Sequence, residues 1–335
     1  MNDNNNNNDN NTDNAPKVPQ LDYVEHDEIL DLTGQPHDFI GDGYSLPATL
    51  VDIDLTNDKI KRMDNISHLV NLKKLCLRQN LIAEIECVDT LVSLQHLDLY
   101  DNKLQAIKNL NNLPNLTYLD LSFNEIRVIE NLHAKEMPQL KELYLANNKI
   151  TEMQNLEELV TLSNLELGSN RFREIKNLDK LVNVKTLWLG RNKITSIQNV
   201  NHMKNLTILS LQSNRLTEIG NGLEGLTNLT ELYLSHNGIT NMDGVQSLIN
   251  LQILDISANK IKQLVGVDKL TNLEELWCND NECDDMDNIE QQITKSITCL
   301  YFERNPVAQH QQYRRIFINM FPNLKQLDAT MVKRM

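Results

Sequence analysis

Both Trp of this chain, and Tyr144, Tyr233 and Tyr301, occupy one recurring context: LYL, LWL, LYL, LWC and LYF, in chain order. The same place is held elsewhere by Asp54, Asp98, Asp120, Glu166 and Asp255, and by Cys76 and Ser210. Twelve positions therefore hold five aromatics, five acids and no base, in a chain that is only 5% aromatic. Such residues make and break no bonds by themselves. Aromatic rings supply large apolar area at little rotamer cost, and carboxylates between them pair with Lys and Arg, so the chemistry is recognition of a basic protein surface. β-Propensity alone also favours aromatics at exposed strand positions. It does not exclude bases while admitting five acids.

Catalytic signals are missing. No GxxxxGK[ST], HExxH, GxSxG or CxxC occurs, and none of the eight His has a second His or Cys at metal-ligand spacing. Cys278 and Cys283 read as small core residues of a degenerate repeat. A zinc site built from them with Cys299 is the weaker alternative. No enzyme activity, cofactor or metal is expected. The formal net charge of −14 opposes nucleic-acid binding. No apolar run approaches a membrane span, and the opening MNDNNNNNDNNTDN is the opposite of a signal peptide. Five Cys without a secretory signal fit a reducing compartment rather than a disulfide scaffold.

The elements that must position the column are repeats. The pattern LxxLxLxxN runs through Leu72, Leu75, Leu77 and Asn80, then Leu94, Leu97, Leu99 and Asn102, and onward. There are twelve copies, mostly 22 residues apart, with weaker ones starting at Leu50 and Ile297. This accounts for 53 Leu and 45 Asn in 335 residues. The fourth and sixth positions alternate as in a short strand facing inward, and the third, fifth and seventh face out. Asn at position nine bonds backbone groups at the turn. The NLxxLxNL segments that follow are too short for full helices and read as 3₁₀ or one-turn helices. The fold expected is an α/β leucine-rich-repeat solenoid. It has a curved parallel sheet of about twelve short strands on the concave face, 3₁₀ or short helices on the convex face and a C-terminal helical cap.

Three regions are expected: 1–43 as an Asn-rich acidic tail and lead-in, 44–305 as the repeats, and 306–335 as the cap. The first 20 residues read as disordered. Residues 21–49, with Tyr23, Leu30, Leu32 and Ile40, read as an N-terminal cap or docking segment. In the last region Tyr313, Ile316, Phe317 and Met320 recur at helical spacing, and Phe317 and Phe321 read as core.

The 22-residue period, the NLxxLxNL linkers and the cap motif YRxxxxxxFPNLKxLD together resemble the leucine-rich-repeat regulatory subunits of type-1 protein serine/threonine phosphatase. The period alone is shared with dynein light-chain and spliceosomal relatives. The resemblance covers residues 44–335 and implies a non-catalytic subunit whose concave face holds the phosphatase catalytic subunit. Carried over by position in the motif, it implies contacts from Asp120, Tyr144, Glu166, Trp188, Asp255, Glu275, Trp277 and Tyr301. It also implies residence in nucleus and cytoplasm, and a further inhibitor subunit as a candidate partner. No [RK]VxF docking peptide is present, which agrees with binding through the sheet. The competing reading is an adaptor for microtubule, ciliary or other nuclear protein assemblies.

Overall fold

In the computed structural model, which describes residues 29–31, 39–40 and 46–333, each copy of LxxLxLxxN contributes one strand of three residues. In chain order these are β2 (Asp52–Asp54), β3 (Lys74–Cys76), β4 (His96–Asp98), β5 (Tyr118–Asp120), β6 (Glu142–Tyr144) and β7 (Asn164–Glu166). They continue as β8 (Thr186–Trp188), β9 (Ile208–Ser210), β10 (Glu231–Tyr233), β11 (Ile253–Asp255), β12 (Glu275–Trp277) and β13 (Cys299–Tyr301). They form one parallel sheet whose spatial order is the chain order, extended by β1 (Ile29–Asp31) before β2 and by β14 (Gln326–Leu327) after β13. A last strand, β15 (Thr330–Met331), pairs antiparallel with β14.

The Leu spacing dictates this stacking. Leu72, Leu75 and Leu77 are fully buried, as are Ile82, Ile85, Val88 and Leu91 later in the same turn, and the pattern repeats without interruption into one continuous core. One turn cannot enclose these side chains alone; stacked neighbours bury them, at roughly 1.5–3 kcal/mol for each large apolar side chain.

Three ladders of Asn, where the sequence pattern points to one, satisfy the backbone between turns. In the first, Asn124 Nδ2 donates to Leu99 O (3.0 Å), Leu121 O (3.0 Å) and Ser122 O (3.1 Å), while its Oδ1 accepts from Leu104 N (2.9 Å). In the second, Asn109, Asn131, Asn155, Asn177 and Asn199 each reach a carbonyl of the preceding turn at 2.7–2.8 Å. All five have φ between 57° and 62°, the left-handed region that Asn tolerates better than most residues. In the third, the Asn of the NL pairs does the same, as Asn115 to Val92 O (2.9 Å) and Asn205 to Val182 O (3.0 Å).

Helical structure on the convex side is concentrated toward the C-terminus. Short 3₁₀ segments span Gly220–Leu223, Val245–Ser247 and Val267–Lys269, and α1 spans Met286–Gln292. The earlier turns cross instead by tight turns that close every third residue, as Leu69 N to Ile66 O and Leu72 N to Leu69 O, both 2.9 Å. That rhythm leaves no consecutive i→i+3 bonds from which a 3₁₀ helix is made. Gly244, at φ 110°, opens the second 3₁₀ segment; a Cβ there would lie 1.9 Å from Gly220 O.

At the N-terminal end Leu30, Ile40 and Leu46 are buried, whereas Tyr23, Leu32 and the Asn-rich tail lie outside the described residues. At the C-terminal end α2 (Tyr313–Met320) packs Phe317 against Phe302, with ring centroids 5.5 Å apart, and against Phe321 at 6.0 Å. Tyr313 OH donates to Asp328 Oδ2 (3.1 Å), and Arg314 donates to the carbonyls of Leu327 and Met331, fastening the helix over the last strands.

Candidate functional site

The third and fifth positions of each motif form the first and last residues of its strand, so their side chains share one face of the sheet. In register along that face lie Asp120, Tyr144, Glu166, Trp188, Ser210, Tyr233, Asp255, Trp277 and Tyr301. Ring centroids are 6.2 Å apart for Trp188–Tyr233, 6.4 Å for Tyr233–Trp277 and 6.1 Å for Trp277–Tyr301. Four rings thus make one aromatic rail. A second group stands nearer the N-terminus: His96 stacks on Tyr118 at 3.9 Å, and Tyr118 meets Tyr144 at 5.1 Å. Of the eight expected contact residues, Trp188, Asp255, Glu275, Trp277 and Tyr301 gather on the rail, Asp120 and Tyr144 join the second group, and Glu166 lies between.

Carboxylates in the fifth position have a local duty. Asp120 accepts from Ser122 N (2.8 Å), Asp255 from Ser257 N (3.0 Å) and Ser257 Oγ (2.6 Å), and Glu166 from Gly168 N (2.7 Å). Each pins the backbone as it leaves the strand. Asp120 and Asp255 are consequently only 5% exposed, less available than the bare column suggests. Burial raises the Asp120 carboxyl, with the Ser122 hydrogen bonds acting against it. Burial pushes the Glu166 carboxyl up to about 7. Gly168 makes that position possible, since a Cβ there would stand 2.5 Å from Glu166 Oε1. Glu166, Gly168, Trp188, Gly190, Ser210 and Gln212 line a shallow cleft of about 110 Å³ in mid-sheet.

Third-position acids orient the rings. Tyr144 OH donates to Glu142 Oε2 (2.6 Å) and also accepts from Asn164 Nδ2 (2.8 Å); Tyr233 OH donates to Glu231 Oε2 (2.7 Å). Burial and the adjoining glutamate both raise each phenol well above its ordinary range. Tyr301 OH accepts from Gln326 Nε2, so the C-terminal cap fixes the last ring of the rail.

The column of fifth positions misses Arg78, a lone base in the seventh. Its guanidinium donates to Asp98 Oδ2 (2.8 Å), lies 3.8 Å from Asp120 Oδ2, and sits 4.1 Å from the centre of the Tyr100 ring. Reading the seventh positions as a column would have exposed it. Asp120 is therefore already facing a cation of its own chain. No group of three or more His, Cys, Asp or Glu among the described residues could hold a metal ion; the Cys278 and Cys283 sulfurs lie 3.8 Å apart in the core as free thiols. Among the described residues no helix is long and apolar enough to cross a membrane.

Residues 92–132, 114–158 and 204–247 match the family described as leucine-rich repeats in two copies, and residues 230–335 match a further leucine-rich-repeat family. The chain is 81% identical over 306 residues to the protein phosphatase 1 regulatory subunit pprA of Dictyostelium discoideum, covering 91% of each protein. Among solved structures it resembles a leucine-rich-repeat protein of Leptospira interrogans, with 25% identity, a TM-score of 0.66 and 89% of each chain covered. An internalin of Listeria monocytogenes has 19% identity and a TM-score of 0.61, with 91% of this chain and 87% of the other covered. That second likeness concerns the fold alone.

Proposed function

The chain belongs to the leucine-rich-repeat regulatory subunits of protein phosphatase 1, and from that premise we propose that its concave face holds the phosphatase catalytic subunit. The subunit is regulatory and carries no catalysis of its own. The observation that carries the reading is the rail of Trp188, Tyr233, Trp277 and Tyr301, continuous over six strands and flanked by carboxylates. Buried aromatic anchors supply most of the energy of such an interface, while rim charges act chiefly on encounter rate. Glu275, whose carboxylate makes no ion pair or hydrogen bond among the described residues, is the acid best placed to meet a partner's Lys or Arg. Asp120, held beside Arg78, contributes less.

The proposal extends to nuclear and cytoplasmic residence and to room for a further inhibitor subunit. The adaptor reading has no separate observation in its favour. A pull-down with the Glu275→Lys/Tyr301→Ala variant tests the site: recovery of the catalytic subunit should drop to background. Recovery equal to that of the native chain would place the contact elsewhere.

A further inference from the structure

After the ladder Asn the chain leaves the concave sheet for the lateral flank. There the tenth and twelfth positions of each motif face solvent and the eleventh is buried, as with Arg171, Phe172 and Arg173. A second backbone ladder keeps these positions in register: Lys149 N donates to Ile126 O (2.8 Å), Arg171 N to Ile150 O (2.9 Å), Lys193 N to Phe172 O (2.8 Å) and Arg215 N to Ile194 O (2.8 Å). Lys149, Arg171, Lys193 and Arg215 consequently form a row with steps of about 5 Å. Beside it runs a second row of Thr151, Arg173, Thr195 and Thr217. Across four turns neither row contains an acid.

These cations are largely uncompensated. Lys149 pairs with Glu125 at 2.8 Å, but Arg171, Arg173, Lys193 and Arg215 make no ion pair among the described residues. The adjacent carboxylates of Glu152 and Glu174 are taken by Lys176, at 3.6 and 2.8 Å. Like charges about 5 Å apart repel one another even in water. Solvation and strand propensity do not require the arrangement, because Glu125 occupies the tenth position one turn earlier and an acid therefore fits there. Glu218, exposed beside Thr217, stands at the margin of the strip and not in either row.

We propose that this flank docks an acidic, extended segment of a partner protein. Arg171, Lys193 and Arg215 pair with its carboxylates, and the hydroxyls of Thr195 and Thr217 donate beside them. Alternate side chains of an extended segment lie roughly 6.6 Å apart, within the adaptable reach of Arg and Lys along a row stepped at about 5 Å. Guanidinium forks also match carboxylates bidentately. The acid-lined concave face repels such a segment and directs it to the flank. The flank is separate from the aromatic rail, so both surfaces can be occupied together.

The test is fluorescence anisotropy of a labelled oligoglutamate with the full chain at low salt. The native chain should bind it, more weakly as salt is added. The Arg171→Glu/Lys193→Glu/Arg215→Glu variant should lose about tenfold or more in affinity. The Arg171→Gln/Lys193→Gln/Arg215→Gln variant, which keeps polar side chains of similar reach, should lose less in the same direction. Reversal of Lys141 and Lys185, exposed on the other side of the strands, should change little. Equal binding by the charge-reversed variant overturns the proposal, as does preferential displacement by oligodeoxythymidine. Binding that emerges only after deletion of residues 1–28 also overturns it, by assigning the flank to the chain's own acidic segment. None of these readouts involves the phosphatase, so the outcome stands apart from that of the concave-face reading.

Discussion

Trp188 and Tyr233 stand two strands apart, yet their rings lie 6.2 Å between centroids and 20° from parallel. Ser210, on the strand between them, is too short to keep them apart and is itself 1% exposed. Asp255 has the same place between Tyr233 and Trp277, whose rings are 6.4 Å apart. Short residues between large ones thus make one apolar surface from rings supplied by alternate strands. The surface is preorganised: Glu231 holds the Tyr233 hydroxyl and Gln326 reaches that of Tyr301. A partner docking there need not order those side chains first, which removes part of the entropic cost of association.

The ladder Asn are predicted to be individually important for stability. Asn170 Nδ2 donates to Leu145 O, Leu167 O and Gly168 O, and its Oδ1 accepts from Ile150 N. Asn170→Ala leaves Ile150 N without a partner in the core and takes one of two donors from each of the three carbonyls, and should cost about 1–3 kcal/mol. Asn170→Asp replaces the donor with a carboxylate oxygen facing the same three carbonyls and should also destabilise. Urea denaturation measures both, and a loss below ~0.5 kcal/mol for the Ala variant would contradict the ladder account.

Cys87 offers the opposite prediction. It holds the place that Asn109, Asn131 and Asn155 hold in later turns, with the same left-handed φ of 59°. A thiol cannot make their interturn bond and Cys is strained at that φ, whereas Asn tolerates it. Cys87→Asn should stabilise by about 1 kcal/mol through a new bond to the carbonyl of Met63. An unchanged or lower midpoint in urea would show that the ladder cannot extend there.

Glu166 should make both stability and binding depend on pH. Burial raises its carboxyl to about 7 in the fold, above its ordinary value of 4.5. The fold therefore favours the neutral form, and the stability tied to it is full below 4.5 and lost as pH rises through about 7. Glu166→Gln should gain on the native chain by roughly 1–3 kcal/mol between pH 4 and pH 8. In the proposed complex a partner cation would favour the ionised form, so affinity should rise from pH 6 to pH 8, with a smaller rise in Glu166→Gln. A calorimetric titration giving identical pH dependence for both chains would remove Glu166 from the interface.

The fold was legible because every turn repeats the same spacing. Leu72, Leu75 and Leu77 state an inward strand within six residues, and Asn80 states its turn three residues later. The other two Asn ladders were in plain view at Asn109 and Asn115, yet their bonds run to the preceding turn, and local pattern reading assigns them only to a linker. Arg78 was missed for the same reason, since its partners Asp98, Tyr100 and Asp120 belong to the next two turns. Aromatic positions were readable from their column, but the burial of Asp120 and Asp255 was not, because it depends on the size of neighbours and on bonds to Ser122 and Ser257. β15, which doubles back on β14, falls where the period has ended.

The central claim is that the aromatic rail is the contact surface for the phosphatase catalytic subunit. Its most direct test is isothermal titration calorimetry of that subunit into the native chain and into Trp188→Ala/Trp277→Ala, with matched far-ultraviolet circular dichroism to certify the fold. Loss of two anchors, each worth about 2 kcal/mol or more, predicts a Kd weaker by roughly a thousandfold. A correctly folded double variant that binds within about threefold of the native chain would contradict the claim.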